Sequence, residues 1–489
     1  MKLKDLFRDV PGGEINGNGD PEILGLAYSS QQVRPGFLFA ALRGGKTDGF
    51  RFVDDALGRG AAAVLADKPR PQDRKTAWIK ALDTREALAL ASANFYDHPS
   101  MKLKVVGITG TKGKTTVTYL LESILLKAGL ATGVIGTINY RWAGRIAPAE
   151  RTTPEAPDMQ RMLSEMLAGG VTHCLIEVSS HGLDLKRVWG IHFDIAAFTN
   201  LSPEHLDYHE SMEDYFEAKK KLFFLNAKKR TAVVNLDDPW GKRLMNELPL
   251  KTVSFGLEPA AIVRAGNLRL TENGIKADVD YPGGQIKVCS RLMGRHNLYN
   301  ILTAIASGLA LNVPAAAIKE GISELKGVPG RLEKIENSLG FQVYVDYAHT
   351  DEALRSLLET VRELKPNRIL LVFGAGGDRD KAKRPRMGKV AAALADLSIL
   401  TSDNPRSEDP LAIIADIERG LTEGKARDYR IVPDRREAIG HALAAAGKGD
   451  YVLIVGKGHE RTQTFKDETV PFDDREIIRD ILKTMEPKP

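Results

Sequence analysis

From residue 104 the chain reads "KVVGITGTKGKTTVTYLLESILLKAG": an apolar run, a glycine-rich loop, then an amphipathic stretch that ends at Gly129. That order predicts a buried strand, a tight loop and a helix. Such a strand belongs in a covered parallel sheet, because parallel neighbours need a crossover connection, usually a helix. Further buried-strand runs, "HCLIEVSS", "FDIAAFTN" and "TAVVNLD", alternate with helical segments as βαβ units do. The loop turns backbone N–H groups and the positive end of a helix toward one point, which suits an anion. It departs from the Walker A spacing, since Ile108 stands where the first glycine belongs and the glycines are Gly107, Gly110 and Gly113. Gly110, Thr111, Lys112, Gly113 and Thr116 would still cradle a nucleotide, with Lys114 at its β and γ phosphates and the Thr115 hydroxyl on Mg²⁺. The loop alone does not separate kinase, GTPase and ligase, and a glycine turn without a ligand is the plainer alternative.

With 489 residues the chain exceeds what one core can organise. From Leu24 to Asp67 short apolar runs and turn residues suggest a small α/β unit, and "YDHPSMKLK" reads as a joint. Between Asn267 and Ser290 apolar and polar residues alternate across Asn-Gly and Gly-Gly turns, which predicts hairpins. A second α/β alternation follows, with strands at "QVYVDYA", "RILLVFGA", "DLSILTSD" and "DYVLIVGKG". The expected domains are residues 1–100, 101–331 and 332–489. In open α/β sheets ligands bind beyond the carboxyl ends of strands, which is where "GAGGDRDK", "SDNPRSEDP" and "GKGHE" fall.

A net charge of +5 is mild at this length and points to small anionic substrates, not nucleic acid. Cys174 and Cys289 each lie in a strand-like run, so both are expected as buried free thiols of a reducing compartment. No stretch has the length and apolarity of a signal peptide or membrane span, so a cytoplasmic protein is expected.

In "SMEDYFEAKKKLFFL", Ser211 and Asp214 have capping-box spacing, and Tyr215, Lys219, Leu222 and Phe223 share one helix face. A lysine on an apolar stripe is ordinarily one whose stem covers apolar surface. Upstream, "FTNLSPEHLDYH" brings His205, His209, Glu204 and Asp207 to a strand end, a metal or substrate site if not a solvated loop. Glu177 ends another strand, where phosphate-loop enzymes place a Mg²⁺-coordinating acid.

The segments "GITGTKGKTT", "RTTP", "EVSSHGL", "FTNLSPEHLDYH", "EAKKKLF", "GRHNLYN", "VPGRLE", "DYAHTDEAL", "FGAGGDRDKAKRP", "DNPRSEDP" and "GKGHE", in that order, resemble the Mur ligase family over nearly the whole chain. The resemblance implies three α/β domains: a small UDP-sugar-binding domain, a central phosphate-loop ATPase domain with a mainly parallel sheet, and a Rossmann-like amino-acid-binding domain. It implies that ATP phosphorylates the γ-carboxylate of UDP-N-acetylmuramoyl-L-alanyl-D-glutamate and that the amine of meso-2,6-diaminopimelate attacks the acyl phosphate. Lys114, Glu177, His205 and Lys219 would be catalytic, with Mg²⁺ held by Thr115, Glu177, His205 and Lys219 as its carbamate. Asn297, Arg331 and Asp346 would join the ATP site. Ser30, Thr152, Thr153, Ser179 and Arg187 would hold the UDP-sugar dipeptide. Arg379, Asp403, Asn404, Pro405, Arg406, Gly456 and Glu460 would hold diaminopimelate, with Arg406 on the distal carboxylate and Glu460 on the distal ammonium. The chain departs from the family's pattern at "YSSQQVRPG" and at Leu185, where related enzymes often carry glutamine. A monomer is expected. The alternatives are a sibling that adds L-lysine, a folate-polyglutamylating relative, or a nucleotide-binding partner without ligase chemistry.

Overall fold

The computed structural model describes residues 1–17, 19–44, 47–72, 75–225, 230–466 and 468–485. The described residues pack as two compact units and form three large sheets and a two-stranded ribbon.

The first unit comprises Met1–Asn267, Ala277–Val288 and Tyr299–Glu324. Its five-stranded sheet runs Glu14–Asn16, Ala77–Lys80, Ala63–Ala66, Phe37–Ala40, Gly25–Ala27, parallel except for the first pairing. Ala63 and Leu65 pack into one core while Val64 and Ala66 pack into another, so both faces are covered. That is why the segment reads as an unbroken apolar run.

An eleven-stranded sheet follows. Its middle runs Lys251–Gly256, Thr231–Asn235, Ile195–Phe198, Lys104–Thr109, His173–Glu177, Thr132–Ile135, all parallel. Beyond it on one side lie Asn139–Trp142 and Arg145–Pro148, antiparallel. On the other lie Val263–Thr271, Gly274–Tyr281 and Gly284–Ser290, joined by the tight turns that the alternating pattern predicts. Strand order reverses at Lys104–Thr109, with His173–Glu177 on one side and Ile195–Phe198 on the other. Ligands bind at such switch points. Because the strands are parallel, Thr109, Ile135, Glu177 and Phe198 all end at the same edge.

The second unit comprises Leu268–Lys276, Cys289–Leu298 and Leu325–Pro489. Its six-stranded sheet runs Glu333–Ile335, Gln342–Asp346, Tyr451–Val455, Ile369–Phe373, Leu397–Leu400, Tyr429–Ile431, parallel except for the first pairing. Leu371, Phe373 and Leu453 enter one core, and Leu370, Val372 and Ile454 the other. The mixed α/β class expected from the sequence is the observed one.

Helix Lys114–Lys127 stops just before Gly129, and Ser211 caps helix Met212–Phe224 by accepting the Asp214 amide at 3.1 Å. One expectation fails. Cys174 is buried, and burial pushes its thiol far up, but Cys289 is exposed. Strand Gly284–Ser290 covers only one face, and Cys289 falls on the alternate, open one. Among the described residues no helix is long and apolar enough to cross a membrane.

Candidate active site

Gly110 and Gly113 have φ of +143° and +90°, and Gly113 precedes helix Lys114–Lys127. Space also requires glycine, because a Cβ at Gly110 would collide with Thr199 Oγ1 and one at Gly113 with Asn300 Oδ1. The adjoining strand end clamps the loop. Asn200 accepts from the amides of Lys112 (3.0 Å) and Thr111 (2.9 Å), and Thr199 Oγ1 donates to Lys112 O at 2.6 Å. Lys114 Nζ folds over the same loop, donating to Gly110 O and Thr111 O at 2.9 Å each. Thr111 and Thr116 are buried.

Glu177, buried at its strand end, accepts from Thr115 Oγ1 at 2.9 Å, from Thr137 Oγ1 at 2.8 Å and from the Thr137 amide at 3.0 Å. Thr137 Oγ1 lies 3.1 Å from Thr152 Oγ1. Thr153 Oγ1 donates to Glu177 O at 2.8 Å and accepts the Ser179 amide at 3.0 Å, and Arg187 Nη1 donates to Thr153 O at 3.0 Å. Thr152, Thr153, Ser179 and Arg187 therefore form one connected group beside Glu177. Ser30 is buried in the five-stranded region and bonds to Asp55. That region reaches the group through other side chains: Tyr28 donates to Asp158 at 2.6 Å, and Arg85 pairs with Glu155 at 3.3 Å. Glu155 also pairs with Arg151 at 2.6 Å and with Arg187 at 3.0 Å, so three guanidiniums surround one carboxylate.

Lys219 is buried on helix Met212–Phe224, its Nζ donating to Gly110 O at 2.8 Å and lying 4.5 Å from the Tyr215 ring centre. Burial holds this amine well below the ordinary lysine range, and the nearby Lys114 charge pushes the same way. His205 adopts a left-handed backbone with φ of 59°. Its ring meets His181 edge-on at 5.0 Å, and His181 packs against Tyr208 at 4.1 Å. Burial lowers the proton affinity of His205, assisted by Lys114 and Lys219, and holds His181 down at about 4. His209 Nε2 is buried without a hydrogen-bond partner among the described residues.

The second unit holds the remaining expected residues. Asn297 Nδ2 donates to Met293 O at 2.8 Å. Arg331 lies over the Tyr347 ring at 4.9 Å. Asp346 accepts the amides of Leu332 (2.6 Å) and Ala348 (2.8 Å), and burial raises its proton affinity against the opposing pull of Arg331. Three strand-end loops knit together around Asn404 and Arg406. The Gly377 amide donates to Asn404 O at 2.9 Å, Arg406 Nη1 donates to Gly377 O at 2.7 Å, and Asn404 Nδ2 donates to Glu460 Oε2 at 2.8 Å. Arg406 has φ of 53°, strained for a residue with a side chain. Bonds from its amide to Thr464 O at 3.0 Å and from the Lys466 amide to its carbonyl at 2.5 Å hold it there. A Cβ on Gly456 would meet the buried Asp403 carboxylate, the Pro405 carbonyl packs on Gly377, and Arg379 is exposed on the Gly376–Gly377 loop.

Several members escaped the sequence reading. Thr137, Thr199, Asn200 and Asn300 are single polar residues whose role depends on which strand ends adjoin. Glu155 was quotable only as the residue after "RTTP". Lys457 sits between two glycines in "GKGHE", where a lysine looks exposed, yet it is fully buried.

Known proteins resemble this chain in sequence and in fold. Residues 22–96 match the Mur ligase family catalytic domain, 108–308 the Mur ligase middle domain and 330–458 the Mur ligase glutamate ligase domain. The chain is 44% identical to UDP-N-acetylmuramoyl-L-alanyl-D-glutamate--2,6-diaminopimelate ligase of Geobacter metallireducens, over 100% of this chain and 99% of that one. It is 45% identical to the ligase of the same name from Solibacter usitatus, over 94% of each. A solved structure of a ligase of that name superposes with a TM-score of 0.72 at 31% identity, covering 99% of both chains. The MurF ligase of Thermotoga maritima, solved in complex with ADP, shares the fold at a TM-score of 0.61 and 20% identity, covering 94% of this chain and 97% of that one.

Proposed function

The chain belongs to the Mur ligase family, and on that premise we propose that it joins meso-2,6-diaminopimelate to UDP-N-acetylmuramoyl-L-alanyl-D-glutamate, converting ATP to ADP and phosphate. Residues 1–100 bind the UDP-sugar, 101–331 form the ATPase domain and 332–489 select the amino acid. The product is a peptidoglycan precursor, made in the cytoplasm by a monomer.

Two anions must meet, the γ-phosphate and the D-glutamate carboxylate, so cations are needed on both. Lys114 and the loop amides of Gly110 to Thr116 take the phosphates. The donor set suits Mg²⁺, a hard ion that favours oxygen ligands: Thr115 Oγ1 and the buried Glu177 carboxylate lie 2.9 Å apart at the loop. His205 and a Lys219 carbamate would complete the set. When bound, the ion neutralises charge on the phosphates and the acceptor carboxylate. Lys219 is prepared for carbamylation because its burial favours the neutral amine, the form that attacks CO₂. Thr153, Ser179 and Arg187, beside Glu177, orient the dipeptide so that a carboxylate oxygen attacks the γ-phosphorus and ADP leaves. The amine of diaminopimelate then attacks the acyl carbon, phosphate departs and the amine proton passes to solvent.

The observation that carries the choice of amine is that the knitted loops hold both a cation, Arg406, and an anion, Glu460. Arg406 is fixed through Gly377, and Glu460 is fixed through Asn404. The distal end of diaminopimelate carries both a carboxylate and an ammonium, and L-lysine carries only the latter. A guanidinium grips a carboxylate through two parallel bonds, so Arg406 discriminates between them. The test is ADP release with the UDP-sugar dipeptide and each amino acid in turn. Strong release with diaminopimelate and little with L-lysine is expected, whereas equal release with both would overturn the assignment.

A further inference from the structure

Lys457 is one of the most deeply buried cations in the second unit, with no side-chain exposure. Its Nζ donates to Thr462 O at 2.6 Å, to Asn404 Oδ1 at 3.2 Å and to Glu460 Oε2 at 3.4 Å. All three donors of an ammonium are thereby used within the protein, which leaves none for a substrate. Asn404 is held further, since the same Oδ1 accepts the Thr464 amide at 3.1 Å and Nδ2 donates to Glu460 Oε2 at 2.8 Å. Both donors to the Glu460 carboxylate thus fall on the same oxygen, Oε2. Among the described residues no donor meets Oε1, and the Glu460 side chain is 31% exposed, which leaves that oxygen for a ligand.

Resting on the diaminopimelate reading above, we propose that Lys457 is a positioning residue for amino-acid selection: it fixes the Glu460 carboxylate, through Oε2 and Asn404, so that Oε1 meets the distal ammonium of the incoming amino acid. Lys457 does not touch the substrate. A carboxylate held by two donors keeps one orientation, whereas one released from them would rotate and lose much of the directional part of the ion pair.

The experiment separates this role from general support by using a substrate that lacks the group in question. 2-Aminopimelate is diaminopimelate without the distal amine. Wild-type enzyme should prefer diaminopimelate in kcat/KM by about tenfold to a hundredfold, the usual span for a hydrogen bond to a charged group. Lys457→Met should reduce that preference to within about threefold, raising KM for diaminopimelate while KM for ATP and for the UDP-sugar dipeptide stay unchanged. Removing one member of a buried ion pair can destabilise the fold, so Lys457→Arg is the companion variant. It keeps the charge but displaces the donors, and its preference should fall in the same direction, by less. Glu460→Gln should show the same amine-specific loss, and the double variant Lys457→Met/Glu460→Gln should be no worse than either single. If a folded Lys457→Met or Lys457→Arg enzyme loses activity equally on both amino acids, or keeps the wild-type preference, the positioning role is overturned while the diaminopimelate reading stands. A wild-type enzyme without preference between the two amino acids overturns both the positioning role and the placing of Glu460 on the distal ammonium, while the selection of diaminopimelate over L-lysine is judged separately by ADP release with those two amino acids.

Discussion

Lys219 and Lys457, with relative exposures of 1% and 0%, are buried alike but handled in opposite ways. Lys457 has a carboxylate, an amide oxygen and a carbonyl around its Nζ. Lys219 has the Gly110 carbonyl and a tyrosine ring, with Lys114 rather than an acid as the leading electrostatic neighbour. Desolvation alone disfavours a buried ammonium, and only a paired acid offsets it. The first unit therefore holds a lysine whose burial works against its charge, and the second holds one whose ammonium is surrounded by oxygen acceptors. Burial does not predict the role of a lysine; its partners do.

The largest effect expected from breaking this contrast is at Lys219. Lys219→Ala should lower kcat on the order of a thousandfold, as losses of groups that stabilise developing charge do. Short carboxylates should restore part of the rate, because the missing group is an anion. Lys219→Arg should stay inactive despite its charge, and ADP release at the wild-type rate from that variant would reduce Lys219 to a lysine covering apolar surface. Next in size, Arg406→Ala should raise KM for diaminopimelate by about a hundredfold, leaving KM for ATP and the UDP-sugar dipeptide near wild type. A variant that still selects diaminopimelate over L-lysine would move specificity away from this loop.

The smallest effect concerns His459, close to Lys457 in sequence. Burial, with Arg331 and Arg475 nearby, holds its imidazole down at about 4. The unfolded chain takes up this proton near pH 6.5 and the folded chain does not until about 4, so the contribution to stability is complete above 6.5 and lost as pH falls from 6.5 to 4. Partial exposure limits the loss to on the order of 1–2 kcal/mol. His459→Gln should remove this segment of the acid-unfolding curve, and denaturant titrations at pH 7 and pH 4.5 measure it. An unchanged difference between the two pH values in the variant would assign the acid sensitivity to other groups.

The central strands of the six-stranded sheet were legible because residues buried on two faces must be apolar throughout, as Ile369–Phe373 and Tyr451–Val455 are. The glycine loop was legible because positive φ and close contacts at Gly110 and Gly113 admit no other residue. Cys289 was misread because a strand covered on one face alternates, and composition does not say which parity faces inward. Thr137 and Asn200 left no local mark, since each acts on a residue dozens of positions away.

The sequence by itself determined the α/β class, the glycine loop and the order of the polar strand-end loops, because these rest on periodicity and on local backbone demands. It also placed Lys219 on an apolar stripe. Only the tertiary structure decided that Glu177 meets Thr115 and Thr137, that Thr153 links Glu177 to Arg187, and that Lys457 lies buried against Asn404 and Glu460. The reason is physical: the charge state and role of a buried polar group depend on which partners the packed strands bring within about 3 Å, and parallel strands bring together residues that the sequence keeps far apart.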